Sequence, residues 1–77
     1  MPFRDLVSRH ARREAARERI TLDDIEATYV WPDATRASTH DVEREIRTRY
    51  FADGAIEVVV DRIDGRVVTV WRKGAKP

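Results

Sequence analysis

Polar and apolar positions change period along the chain, and each period predicts an element. From Arg9 to Arg19 every residue tolerates a helix, and the apolar members are Ala11, Ala15 and Ala16. Alanines give a thin apolar stripe that lets a helix approach its neighbour closely. Ser8 stands where a hydroxyl can accept an orphaned first-turn amide, so it is the predicted N-cap. Thr21 repeats the signal. Asp24 takes the third position of an approximate capping box, and Asp23 and Asp24 suit the positive end of the helix dipole. Leu22, Ile25 and Tyr29 then recur at i, i+3 and i+7. Trp31-Pro32 closes this second helix, because a residue before proline is driven out of the helical region. With almost no loop between Arg19 and Leu22, the two segments form a tight αα-hairpin. Residues 1–7 read as a short extended lead-in anchored by Phe3, Leu6 and Val7, with a helix start at Pro2 as the alternative.

Beyond Pro32 the helical period is lost. Residues 32–43 carry few apolar groups and read as a loop. Val42, Ile46 and Tyr50 fit both helical i+4 steps and strand alternation. A strand at 45–51 is preferred, because a turn at Asp53-Gly54 and a β-branched run at 55–61 follow it. Asp64-Gly65 supplies a second hairpin turn, and 66–72 is the third strand. The expected fold is therefore α+β: an N-terminal αα-hairpin on a three-stranded antiparallel β-meander, one domain over 1–77. The tail from Lys73 to Pro77 is expected to fray. Ile56, Val58 and Val60 share one face of the second strand, and Glu57, Val59 and Asp61 the other. Both sides of 66–72 are fairly apolar, so the helices leave some apolar surface for a partner.

Composition narrows the class. A chain of 77 residues builds one modest core, and a second copy or another subunit would help it. Cysteine is absent, which excludes disulfides and thiolate metal sites and makes a reducing compartment the default. The longest aliphatic run is Val58-Val59-Val60, and the first residues hold no signal-peptide core. A cytoplasmic protein without a membrane partner is expected. The net charge of +1 is unevenly spread: residues 1–20 and 46–77 are basic, residues 21–45 acidic. Thirteen of the fifteen basic residues are arginine, whose fork suits bidentate phosphate contacts. A coding bias towards GC-rich codons accounts for their number but not for their grouping.

Ser8-Arg9-His10-Ala11, then Ile20-Thr21-Leu22-Asp23-Asp24-Ile25, then Glu57-Val58-Val59-Val60-Asp61 and 64–73 (D-G-R-V-V-T-V-W-R-K) together resemble a family of small bacterial domains. That family, a domain of unknown function, is grouped with the RelE/ParE-like toxin fold. Some members accompany toxin systems and are suspected ribonucleases. The resemblance implies a RelE-like fold, and RNA or an antitoxin-like protein as partner. The family pattern sets arginines four and eight residues after the histidine. Here those positions are Glu14 and Glu18, and the arginines stand one residue earlier, at Arg13 and Arg17.

Cleavage of RNA without metal needs a base for the 2′-hydroxyl, an acid for the leaving oxygen and cations for the phosphorane. Histidine is the side chain type suited to proton transfer near neutral pH, which makes His10 the candidate acid and base. At about 100° per residue it shares a helix face with Arg13 and Arg17. The candidate catalytic set is His10, Arg49 and Tyr50, with Arg9, Arg13, Arg17, Arg47, Arg72 and Lys73 gripping nucleic acid. Trp71 beside Arg72 and Lys73 adds a surface suited to bases. No metal is expected, since His10 and His40 are thirty residues apart and no pair has ligand spacing; no cofactor is implied. Two readings stay open: a toxin-like, metal-independent endoribonuclease or RNA binder, and a non-catalytic module that binds a protein through the uncovered side of the same sheet.

Overall fold

In the computed structural model, which describes residues 2–74, the chain forms two helices and one antiparallel sheet. A 3-10 turn at Phe3–Leu6 leads into α1 (Arg9–Arg17) and α2 (Leu22–Val30). Four strands follow: β1 (Ala34–Ala37), β2 (Arg44–Phe51), β3 (Gly54–Asp61) and β4 (Val67–Lys73), side by side in chain order. The α+β class and the antiparallel sheet agree with the pattern; the strand count does not. The segment 32–43, read as a loop, contains β1, which pairs Ala34 with Thr48 and Ala37 with Glu45. All four of its residues are exposed, so no apolar alternation marked it. Of the tail expected to fray, Lys73 closes β4, and residues 75–77 lie outside the described residues.

Both caps form as the residue types require. Ser8 Oγ accepts from Ala11 N at 3.1 Å, and Thr21 Oγ1 from Asp24 N at 3.1 Å. Between the helices the chain reverses through a Schellman motif, in which Ile20 N donates to Ala15 O and Arg19 N to Ala16 O. Ala15 and Ile20 are both buried in the core beneath it. This geometry puts Arg19 at φ +57°, a region that costs a side-chain-bearing residue about 1 kcal/mol. Its side chain makes no hydrogen bond among the described residues. Arg19→Gly is therefore expected to raise stability by about 0.5–1 kcal/mol, read as a higher urea midpoint at unchanged slope.

The sheet's two edges are treated differently. Along β4, Val7 bridges Val67 in parallel, Ser8 N donates to Val67 O, and Ser8 Oγ donates to Val68 O at 3.0 Å. At the far end of α1, Glu18 Oε2 accepts from Arg72 N at 2.6 Å. The first helix thus lies along β4 and occupies backbone groups that would otherwise face another chain. Beneath the helices, Ile56, Val58 and Val60 meet Ala11, Ala15 and Ile25 in the core. A bulge between Val59 and Val60 shifts the β4 register, so that Val67 and Val70, three residues apart, both point inward. Strict alternation along 66–72 could not have shown this. Among the described residues no helix is long and apolar enough to cross a membrane.

Candidate functional site

Strand alternation divides the expected site residues between the two faces of the sheet. Arg47 and Arg49 fall on the helix side, and both are occupied there. Arg47 Nη1 donates to Tyr29 O at 2.7 Å, its Nε to Glu45 at 2.8 Å, and its guanidinium lies 4.6 Å from the Tyr29 ring centroid. Arg49 Nη1 donates to Trp31 O at 2.6 Å. The two arginines satisfy carbonyls at the C-terminal end of α2. Arg72 does the same for the first helix, with Nε on Glu18 O at 2.7 Å and Nη2 on Arg19 O at 2.9 Å.

His10, Arg49, Tyr50 and Arg72 do not share one face or one end of the fold. Tyr50 follows Arg49 directly on β2 and so points to the opposite face. Arg72 sits at the C-terminal end of α1, whereas His10 is the second residue of that helix, about 12 Å away along its axis. His10, Arg9 and Arg13 are exposed and make no side-chain hydrogen bond or ion pair among the described residues. Arg17 pairs with Glu14 at 3.3 Å. Glu18 has a structural use: it takes the backbone amide of Arg72 on the sheet edge.

A different cluster occupies the open face of the sheet. Glu57, at the middle of β3, is 2% exposed. The hairpin registers set Thr48 of β2 on one side of it and Trp71 of β4 on the other. Glu57 Oε2 accepts from Arg36 Nη1 at 2.8 Å and from Thr48 Oγ1 at 2.6 Å; Oε1 accepts from Trp71 Nε1 at 2.9 Å. Lys73 Nζ lies 4.0 Å from the same carboxylate. Four strands thus contribute to one network around one buried charge. Burial opposes ionisation of Glu57, but the hydrogen bonds from Arg36, Thr48 and Trp71 and the Arg36 charge outweigh it, and its pKa falls to about 2. Arg36 is raised in turn, chiefly by its bond to Glu57 against a smaller desolvation, with the Glu57 charge and Tyr50 adding to it.

No family model, curated protein or solved structure matches this chain. The site therefore rests on its own geometry. The network holds the Arg36 side chain, 51% exposed, by a hydrogen bond, and the Lys73 side chain, 58% exposed, stands at its margin. Trp71, half-buried, is held by its indole N–H, and Tyr50 stands on the same face. The arrangement is a sheet platform carrying an anchored aromatic ring with cations beside it.

Of the residues singled out from sequence, Tyr50, Trp71 and Lys73 reach this platform. Glu57, Thr48 and Arg36 were missed. An acid inside the run Ala55 to Val60 was a usable signal, but its partner was not: a turn at Asp53-Gly54 would set Tyr50 opposite Glu57, whereas the turn falls at Ala52-Asp53 and sets Thr48 there. Arg36 had none, since it belongs to the exposed edge strand.

Proposed function

We propose that this domain binds single-stranded RNA on the open face of its sheet. Trp71 stacks a base, and Arg36 and Lys73 contact the adjoining phosphates. The observation that carries this reading is the buried Glu57 carboxylate, which anchors an indole and an exposed guanidinium on a face that, among the described residues, no helix covers. Isolated buried charges are costly, and a buried ion pair is often no better for stability than apolar packing. Stability alone gives little reason for such a network, while orienting a cation beside a ring suits nucleic-acid contact. Stacking tolerates any base, and the cations supply the salt-dependent part of the affinity. The RelE-like resemblance is consistent with RNA as the ligand.

Fluorescence anisotropy with a labelled oligouridine of about twelve nucleotides tests the proposal. Trp71→Ala is expected to weaken binding by about 1–3 kcal/mol, and Trp71→Phe, which keeps a ring, by much less. Arg36→Ala and Lys73→Ala are each expected to lower the slope of log affinity against log salt by about 0.7. Equal affinity of the wild type, Trp71→Ala and Arg36→Ala would sink the proposal and favour a protein partner for the same face, where Ile46 and Val59 adjoin the network. Cleavage is a separate reading, carried by His10. Strand scission in EDTA by the wild type and not by His10→Ala is the result that would support it.

A further inference from the structure

The helix layer holds a second surface, independent of the sheet. A groove of about 310 Å³ opens between α1 and α2, floored by Ala15, Ile20 and Ile25 and flanked by Ala16 and Leu22. Leu22 is 42% exposed although it begins the helix's apolar stripe. Small side chains at positions 15 and 16 leave room above the floor for a large apolar group. The remaining lining residues, Arg4 and Arg12, are the charged ones, and among the described residues no carboxylate lines the groove. Neither arginine makes an ion pair among the described residues. Arg12 is held in place by the backbone of the lead-in segment: Nε donates to Val7 O at 3.2 Å and Nη2 to Arg4 O at 3.5 Å. Its Nη1 is left to meet an incoming acceptor. An apolar floor with cations at its margin, one of them pre-oriented, is complementary to a large apolar side chain with carboxylates beside it.

We infer that this groove docks a polypeptide segment of a partner protein in which leucine-like side chains alternate with carboxylates at helical spacing. Such a segment lays its apolar stripe on Ala15, Ile20 and Ile25 and sets its acids against Arg4 and Arg12. Because the groove lies in the helix layer, the domain could hold this partner while the open sheet face is occupied.

The probe is a capped amphipathic peptide with leucines at i, i+4 and i+7 and glutamates flanking them, compared with a twin carrying lysine for each glutamate. Amide chemical shifts of the full chain are followed during titration at low salt. The glutamate peptide is expected to move the amides of Ala15, Ala16, Ile20, Leu22 and Ile25 and to bind at least about tenfold more tightly than the lysine twin. Ala16→Trp, which fills the groove from an exposed position, is expected to abolish the shifts, and Arg4→Glu to erase the preference for acid. Arg4 makes no side-chain hydrogen bond among the described residues, so that variant tests charge without removing a support of the fold. Equal binding of both peptides, or shifts confined to other residues, would overturn the inference. Shifts of the same amides with protein concentration alone would assign the groove to a second copy and overturn it too. Oligouridine affinity is expected to be unchanged in Ala16→Trp, so failure of RNA binding and failure of the groove are separately readable.

Discussion

Glu57→Ala is expected to cost about 3 kcal/mol of folding stability, a large share of what a domain of this size possesses. The substitution leaves a void in the sheet and deprives Thr48 Oγ1 and Trp71 Nε1 of their acceptor, while Arg36 can turn to water. Acid should reach the same network in the wild type. Glu57 has an ordinary value of 4.5 and a folded value of about 2. A carboxyl depressed on folding contributes stability that is complete above its unfolded pKa and is lost as pH falls through its folded pKa. The window therefore runs from about pH 4.5 down to about pH 2, and at about 1.4 kcal/mol per pH unit the loss is at most about 3.5 kcal/mol. Glu57→Gln separates shape from charge. Its amide oxygen can still accept from Arg36 and Thr48, but its amino group opposes the Trp71 N–H, so a cost of about 1–2 kcal/mol at neutral pH is expected. That variant should also lose most of the wild type's acid sensitivity in the window. Urea unfolding of the three proteins at several pH values measures both effects. An unchanged acid slope in Glu57→Gln would remove Glu57 as the titrating group.

What the chain discloses depends on the range of the interaction. The Ser8 and Thr21 caps are legible because donor and acceptor lie three residues apart, and the existence of two hairpins because turn chemistry is local, although the first turn falls at Ala52-Asp53, one residue before the expected Asp53-Gly54. The edge strand β1 is opaque for the opposite reason: with all four residues exposed, nothing in its composition distinguishes it from a loop. The bulge beside Val60 hides the inward pair Val67 and Val70 from any count by twos. Charge was the least legible of all. Thirteen arginines suggested an anion site, and their grouping was real, but a guanidinium fork satisfies a carbonyl as readily as a phosphate. Which it meets is decided by tertiary placement. Arg47, Arg49 and Arg72 fall beside helix C-termini, where carbonyls lack partners.

The fate of those arginines is itself testable. Arg47→Ala is expected to lower stability by about 2 kcal/mol and to leave oligouridine affinity within about a factor of two. The first figure follows from one charge-assisted bond to Tyr29 O, worth about 1.5–3 kcal/mol, with the contact over the Tyr29 ring adding up to about 1 kcal/mol. Partial replacement by water lowers the sum, because the side chain is 24% exposed. Arg47→Lys keeps the charge but loses the planar fork that reaches Tyr29 O and Glu45 together, so it should recover only part of the stability. The second figure follows from position: Arg47 lies under the helices, on the opposite side of the sheet from Trp71. A loss of RNA affinity as large as that of Trp71→Ala, in a variant still folded at the assay temperature, would mean that the helix-side arginines reach the nucleic acid. The phosphate contacts would then belong beside α2 rather than beside Glu57.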